Sequence, residues 1–331
     1  MKKLLSIILL SVVLFCSLTL VIFADDTRDN TKDTLLYKER VELFLDSIGH
    51  PSTVSNPMWL KNVFGEDEAM VFTLGNSGYI IININDLSIP ELSLVNQNPY
   101  LGYDAPVYNG PIEYYYIENG QIRSIIDDSV LDVNRIIAPY HQTRITNKDE
   151  YVSDLRSATK EHDRNLDVEK YLPYSLQTWY VSGGHCGAIA SAICMRYYYD
   201  HVSTSYVGPS YTSESALISV MQFYVGSGGT SYSNMVSGLN SYFASRYVTN
   251  AANATTPFSF SKVRNAINAN RPIIVGTYNH PVYGSHWLIA HGFFQSDLDG
   301  NYVIVNNGCG YNNVWVAVNT TYLDGTIHFT N

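Results

Sequence analysis

The chain has 331 residues, of which 46% are hydrophobic and 15% charged, so it has enough apolar mass for one or two folded domains. This composition excludes a disordered, collagen-like or coiled-coil protein. The net charge of -10 argues against nucleic acid or an anionic membrane surface as a partner. Four cysteines without a CxxC motif or a Cys/His cluster argue against a disulfide scaffold and a structural metal site.

The N-terminus has the order of an export signal. Two lysines follow Met1, an uncharged run covers residues 4–23, and Ala24 precedes two acidic residues. This order predicts a signal peptide over residues 1–24 and a secreted protein. The run is long for a cleaved signal, so an uncleaved signal anchor at the cell surface is the alternative.

Charge divides the remaining chain into two parts. Residues 25–170 carry 13 basic and 25 acidic side chains, whereas residues 171–331 carry five of each. This difference suggests two domains.

In the first part, the sequence pattern of residues 25–146 predicts a small α+β unit. Apolar residues at helical spacing predict a helix near residues 37–48, with Gly49 available as its C-terminal cap. Strand patterns cover residues 69–74 and 78–84, and the dipeptide Asn119-Gly120 predicts a hairpin turn between two further strands.

A highly charged stretch follows at residues 147–170, where half of the side chains are charged. Such a stretch cannot bury much surface, and it predicts an exposed linker that a protease can reach. A surface helix with many ion pairs is the alternative, and the pattern favours neither.

The second part, residues 171–331, predicts helices first and strands last. Helical spacing marks four segments between residues 187 and 267, and short strands rich in β-branched and aromatic residues follow from residue 273 to residue 329. Helices followed by an antiparallel sheet are typical of an α+β fold.

Cys186 is the strongest candidate for a reactive group. Gly183 and Gly184 permit a tight turn before it, and the small residues after it let a helix pack closely against its neighbours. The positive end of a helix dipole favours the thiolate, which is the nucleophilic form. A small buried hydrophobic residue is the alternative, and Cys194 and Cys309 fit that alternative better.

A cysteine nucleophile requires a base, and several histidines are candidates. His286 opens a hydrophobic strand after a glycine turn, where its ring can face a cleft. His291 is at an odd offset on the same strand and so points to the opposite face. His280 precedes a proline in a loop, and His185 is too close to Cys186 along the chain to serve as its base. We favour His286, with a histidine satisfied inside the core as the alternative.

The histidine in turn requires a group that orients it. The strand that begins at Tyr302 ends in Asn306 and Asn307 before a glycine, and an amide carbonyl can accept the second ring N–H. From these residues alone, a simple turn at the end of the strand is the better explanation.

Three motifs occur in order along this part of the chain: GHCGAIASA, SHWLIAHG and YVIVNNGCG. In this order they resemble the papain-like cysteine peptidases, most closely the streptopain family and the related bacterial peptidases similar to bacteriocin-processing enzymes. The resemblance covers residues 171–331. A weaker likeness upstream, in SGYIIININD and the Leu-Gly-Tyr at 101–103, is to the inhibitory pro-segment of streptopain-type zymogens.

The resemblance implies an α+β fold with a papain-like peptidase domain over residues 171–331, preceded by a small α+β pro-domain. It implies Cys186 as the nucleophile, His286 as general base and acid, and Asn306 as the orienting residue. The backbone N–H of Cys186 and the side chain of Gln177 would form the oxyanion hole. The offset of nine residues between Gln177 and Cys186 is longer than the family usually shows.

Two positions depart from the family pattern. Asn307 and Cys309 stand where streptopain-like sequences carry tryptophans, whose indole cover protects the hydrogen bond between the histidine and asparagine from water. The bacteriocin-processing group has an acid near this point, which makes Asn307 a rival to Asn306 as the orienting residue.

These observations predict an exported cysteine endopeptidase made as a zymogen, with a protein or peptide as substrate and its own pro-domain as an intramolecular inhibitor. The chemistry requires no metal and no cofactor. Two alternatives stay open. One is a peptidoglycan amidase or transamidase with the same chemistry, and the other is a catalytically inactive secreted binding module on a papain-like fold.

Overall fold

The structure is a computed structural model that describes residues 30–132, 144–277, 286–318 and 322–330. The chain divides into a unit of residues 1–33, of which only the start of a helix is described, and a compact unit of residues 34–331. The predicted signal peptide and His280 lie outside the described residues. Within those residues, none of the helices has the length and apolar character needed to cross a membrane.

The fold of the described chain is mixed α/β, with six α-helices and a large, mostly antiparallel sheet. The helices are α1 (Asn30–Ser47), α2 (Lys148–Glu161), α3 (Cys186–His201), α4 (Glu214–Val225), α5 (Tyr232–Ser245) and α6 (Phe260–Asn268). The strands are β1 (Val54–Lys61), β2 (Asp67–Leu74), β3 (Tyr79–Asn83), β4 (Glu91–Ser93), β5 (Pro106–Tyr108), β6 (Tyr114–Glu118), β7 (Gln121–Ser124), β8 (Val168–Tyr171), β9 (Ala251–Thr255), β10 (Ile273–Thr277), β11 (Trp287–Ser296), β12 (Gly300–Asn306), β13 (Val314–Ala317) and β14 (Leu323–Thr330).

One continuous sheet connects the two ends of the described chain. Its strand order is β7-β6-β5-β1-β2-β3-β4-β13-β12-β11-β10-β14-β9, with β8 paired to β11. We call residues 34–161 the N-terminal region and residues 168–330 the C-terminal region. The two meet where β4 pairs with β13 in antiparallel register.

The predicted elements of the N-terminal region are confirmed. Helix α1 buries one apolar face and is followed by Gly49, whose φ of 78° is the left-handed conformation expected of a C-terminal cap. Asn119 and Gly120 both have positive φ, as the hairpin between β6 and β7 requires. The sequence patterns missed β1, which contains a proline and a positive φ at Asn56, and the three-residue strands β4 and β5.

The charged stretch at residues 147–170 is largely helical, as its second interpretation expected. Asn147 accepts a hydrogen bond from the Glu150 N–H and starts α2. Val152 of this helix is buried in the apolar cluster that also contains residues of α1. The exposed segment between α2 and β8 is shorter than the predicted linker, and Leu166 within it is 67% exposed.

The C-terminal region has the predicted order of helices followed by strands. Helices α3 to α6 precede β10 to β14, and β8 and β9 are additional short strands that the patterns did not reveal. Its core is built around α3, the most buried helix, and β10 to β12. A second core lies between α1, strands β2 to β4 and three aromatic side chains of the C-terminal region, Phe294, Tyr302 and Trp315. The two regions therefore share this second core.

Candidate active site

Cys186 is the first residue of α3, as its glycine-rich entry predicts. Gly183 and Gly184 have φ of 104° and 75°, so each lies in the left-handed region that favours glycine. A Cβ on Gly187 would lie 3.1 Å from the Met235 sulfur and 3.3 Å from Cδ1 of Trp287. The small residue lets the helix start pack tightly, and Cys186 itself is only 5% exposed.

The Cys186 thiol is held among backbone donors. The N–H groups of Trp287, Gly187 and Cys186 itself hydrogen-bond toward the sulfur and act to lower its pKa. Burial has the larger and opposite effect, so the pKa of Cys186 is raised and the group is a thiol in this closed state. The contact with Trp287 places the sulfur beside the residue that follows His286.

His286 directly precedes β11 and is 3% exposed. Its backbone N–H donates to Thr277 Oγ1 at 3.1 Å, and its ring Nε2 lies 2.6 Å from the Asn307 carbonyl oxygen. Because a carbonyl can only accept, Nε2 carries the proton and Nδ1 is the basic nitrogen of the neutral ring. Burial lowers the pKa of His286, and the Asn307 carbonyl acts in the opposite direction.

The turn after β12 is built by two asparagine side chains. Asn306 Oδ1 accepts from the Gly308 N–H at 2.8 Å, while its Nδ2 donates to the Gln177 carbonyl at 2.6 Å. Asn307 Oδ1 accepts from the N–H groups of Cys309 and Tyr311 at 2.9 and 3.0 Å. These bonds fix the turn that presents the Asn307 carbonyl to His286. The side chain of Asn306 supports the turn in this structure, and the ring is held by the backbone of its neighbour.

Gln177 and Cys309 contact this arrangement in different ways. Gln177 is exposed, its side chain is not part of the cleft around Cys186, and its carbonyl is the acceptor for Asn306. The Cys309 sulfur lies 4.0 Å from His286 Nε2, so a thiol occupies space beside the ring's hydrogen bond. Burial and the nearby Cys186 and Asp127 raise the pKa of Cys309.

Of the remaining candidates, His291 and Cys194 lie away from this arrangement. His291 is buried, does not line the cleft, and has a pKa lowered by burial to about 4. Cys194 is fully buried within α3, and all three described cysteines are free. His185 does line the cleft, at the start of α3.

Both regions of the protein line the cleft around Cys186, which has about 520 Å³ of space, part of it open to solvent. The C-terminal region supplies the glycine-rich entry loop, Cys186, His286 and Cys309. The N-terminal region supplies a wall made of residues 112–115, Ser124, Ile126 and Asp127. The sequence predicted an inhibitory N-terminal region but not which of its residues line the cleft. It gave no sign of the Trp287 N–H or the Asn307 carbonyl, since backbone donors and acceptors leave no residue-type signature.

No protein-family model matches the chain, and no curated protein matches it. Among the described residues, no group of three or more His, Cys, Asp or Glu side chains could hold a metal ion. Interpretation of the site therefore depends on its residues.

Proposed function

We propose that the protein is an exported cysteine peptidase of papain-like type, made as a zymogen and acting on protein or peptide substrates. The observation that carries this proposal is that Cys186 and His286 line one cleft, with the thiol beside the N–H that follows His286 and the ring oriented from its far side by Asn307. A nucleophile, a base and a group that orients the base are the parts that thiol-based acyl transfer requires.

The reaction follows from these positions. Nδ1 of His286 accepts the thiol proton, and the Cys186 sulfur bonds to the carbonyl carbon of the substrate. The oxyanion that forms is stabilised by the Cys186 N–H at the start of α3. His286 then donates its proton to the departing amine as the C–N bond breaks. Water, deprotonated by His286, hydrolyses the thioester and restores the thiol.

The latent state is explained by the wall that the N-terminal region contributes. With this wall in place, burial raises the pKa of Cys186 and lowers the pKa of His286, so both groups are neutral. Removing the wall hydrates the cleft and so reduces the effect of burial on the pKa of Cys186 and of His286. The thiolate and imidazolium forms then become more favourable, which activates the nucleophile.

A second candidate is the inactive secreted binding module. It is favoured by the exposed side chain of Gln177, which contributes no oxyanion donor in this arrangement, and by the Asn306 side chain, which contacts Gln177 and Gly308 and not the histidine. An inactive module predicts a Cys186 whose reactivity is independent of His286.

The deciding experiment is alkylation of the exported protein with iodoacetamide or the epoxide inhibitor E-64, with the modified residue mapped by mass spectrometry. We expect slow labelling of the full chain and fast, selective labelling of Cys186 after the N-terminal region is cleaved and separated. His286→Ala should abolish the fast labelling, and His201→Ala, at an exposed histidine outside the cleft, should keep it. Equal labelling of all cysteines, unaffected by His286→Ala, would refute the peptidase.

A further inference from the structure

Two thiols line the same cleft. Cys186 is 5% exposed and Cys309 is half-buried, and both belong to the lining of the candidate active site. Cys194, the third described cysteine, is fully buried within α3 and does not line the cleft. All three described cysteines are free. The cleft therefore holds a pair of reduced thiols, of which the proposed peptidase mechanism uses only one.

Cys309 lies close to the reactive groups of the site. Its sulfur is 4.0 Å from Nε2 of His286. Its backbone N–H donates to Asn307 Oδ1 at 2.9 Å, so the turn that orients His286 also holds Cys309 in place. Cys186 is among the groups that raise the pKa of Cys309, so the two thiols lie within electrostatic reach of each other. A residue with these neighbours is more than a small packing residue of the core.

The surroundings of the two thiols differ. Burial raises the pKa of both, but three backbone N–H groups act to lower the pKa of Cys186 at the start of α3. For Cys309, burial, Cys186 and Asp127 all act to raise the pKa. Ionisation is therefore easier at Cys186, and the thiolate is the form that reacts with oxidants. An oxidant attacks Cys186 first, and Cys309 is the thiol that remains beside it.

The cleft has room for the two sulfurs to meet. A disulfide has an S–S bond of about 2.05 Å, so the Cys309 side chain must turn from His286 toward Cys186. Gly310, the next residue, has a φ of 90°, and a Cβ added to it would have no atom within 4 Å. The cleft itself has about 520 Å³ of space. The turn beside Cys309 therefore faces open space and can adjust as the side chain rotates.

We propose that Cys186 and Cys309 form a redox site, in which a small peroxide oxidises Cys186 and Cys309 then closes a disulfide with it. A low-molecular-weight thiol reverses the change by reducing the disulfide. The oxidised site has no thiol for acyl transfer, and the disulfide protects Cys186 from irreversible oxidation. This inference goes beyond the proposed function, since it requires the two thiols and the cleft but no peptide substrate.

The oxidation takes two steps. Nδ1 of His286 accepts the proton of Cys186, and the sulfur bonds to one oxygen of the peroxide as the O–O bond breaks. The peroxide gains two electrons from the sulfur, and the departing hydroxide takes the proton from His286 and leaves as water. Cys186 is then a sulfenic acid. In the second step the Cys309 sulfur bonds to the Cys186 sulfur, the S–O bond breaks, and the hydroxyl leaves with the Cys309 proton as a second water.

The test uses the exported full chain treated with hydrogen peroxide near pH 7. The protein is then denatured in iodoacetamide and digested with pepsin, and the peptides are mapped by mass spectrometry. We expect alkylation to be lost at Cys186 and Cys309 together, with one cross-linked peptide pair that joins them, while Cys194 remains alkylated. Treatment with dithiothreitol before alkylation should restore the label at both positions.

Matched variants identify the role of each thiol. In Cys309→Ser, Cys186 should oxidise further to the sulfinic acid, and dithiothreitol should no longer restore its alkylation. Cys309→Ala repeats this test without a hydroxyl group. Cys186→Ser should leave Cys309 reduced, because the thiol that reacts first is gone. Cys194→Ala removes a thiol of α3 outside the cleft and should form the disulfide as the wild type does.

Three outcomes overturn this inference: oxidation of Cys186 to the sulfinic acid while Cys309 stays reduced, a disulfide that includes Cys194 or a second chain, or a Cys186 that peroxide does not oxidise. Its failure is distinct from failure of the proposed function. A chain that forms the disulfide but, once reduced and freed of its N-terminal region, never hydrolyses a peptide would refute the peptidase and leave the redox site standing. Peptide hydrolysis that peroxide abolishes beyond recovery by dithiothreitol would support the peptidase and refute the redox site.

Discussion

Two clusters of buried polar groups lie in the same sheet and are held in different ways. In the C-terminal region, the thiol of Cys186 and the ring of His286 are positioned mainly by backbone groups. In the N-terminal region, Glu91 is positioned by two tyrosine hydroxyls and one backbone N–H. Burial disfavours the charged forms in both clusters: it raises the pKa of Cys186 and of Glu91 and lowers the pKa of His286. Burial therefore acts on both clusters in the same sense, although backbone groups position the first and mainly side-chain hydroxyls position the second.

The largest effect is expected from a substitution in the cluster of Cys186 and His286. After the N-terminal region is removed, His286→Ala should reduce peptide hydrolysis by about 10² to 10⁴-fold, the usual contribution of a general base. It should also remove the inflection that His286 contributes to the pH profile of Cys186 alkylation. His291→Ala is the matched control, because His291 lies on the same strand but outside the cleft. Similar losses in both variants would show that the effect is structural.

The next effect concerns the second cluster in the uncut chain. Between pH 4.5 and pH 7, Glu91 should reduce the free energy of unfolding by about 3 kcal/mol, because its pKa is raised across that interval in the folded state only. Glu91→Gln should remove this part of the pH dependence in urea unfolding. An unchanged slope would mean that Glu91 is ionised in the folded protein at acidic pH.

A smaller effect separates the roles of the two asparagines. Asn306→Ala removes two hydrogen bonds of the turn, to Gly308 and to the Gln177 carbonyl, and should cost about 1 to 3 kcal/mol of stability. The histidine should keep its contact with the Asn307 carbonyl, so the pH profile of Cys186 alkylation should keep its shape. A displaced profile would show that the Asn306 side chain takes over the ring in the open enzyme.

The smallest effect concerns the turn glycine. Gly308 has φ of 68°, and a Cβ there would lie 3.3 Å from the Trp287 carbonyl oxygen and 3.8 Å from Cε1 of His286. Gly308→Ala should destabilise the fold by about 1 kcal/mol through backbone strain. Gly310→Ala provides the comparison, since its φ is also positive but open space surrounds the added methyl group. Equal changes in alkylation rate would argue that the turn does not transmit strain to the ring.

The sequence predicted the helix and strand order of the C-terminal region because its apolar spacing is regular. It also pointed to Cys186 and His286, which the structure places in one cleft. A glycine-rich helix start and the start of a strand can be recognised from residue types alone. It could not predict that the Asn307 carbonyl would hold the ring, because every residue has a carbonyl. The pairing of β4 with β13 was equally hidden, since β4 has only three residues and its partner is more than two hundred positions away.

The position of β13 in the sheet has a consequence for the freed C-terminal region. Once β4 departs, the four residues Val314–Ala317 become an edge strand with unpaired backbone groups, and Trp315 loses the side chains that cover it. Such edges promote association between chains. The same short strand that pairs with the N-terminal region should therefore limit how concentrated the freed C-terminal region can become before it aggregates.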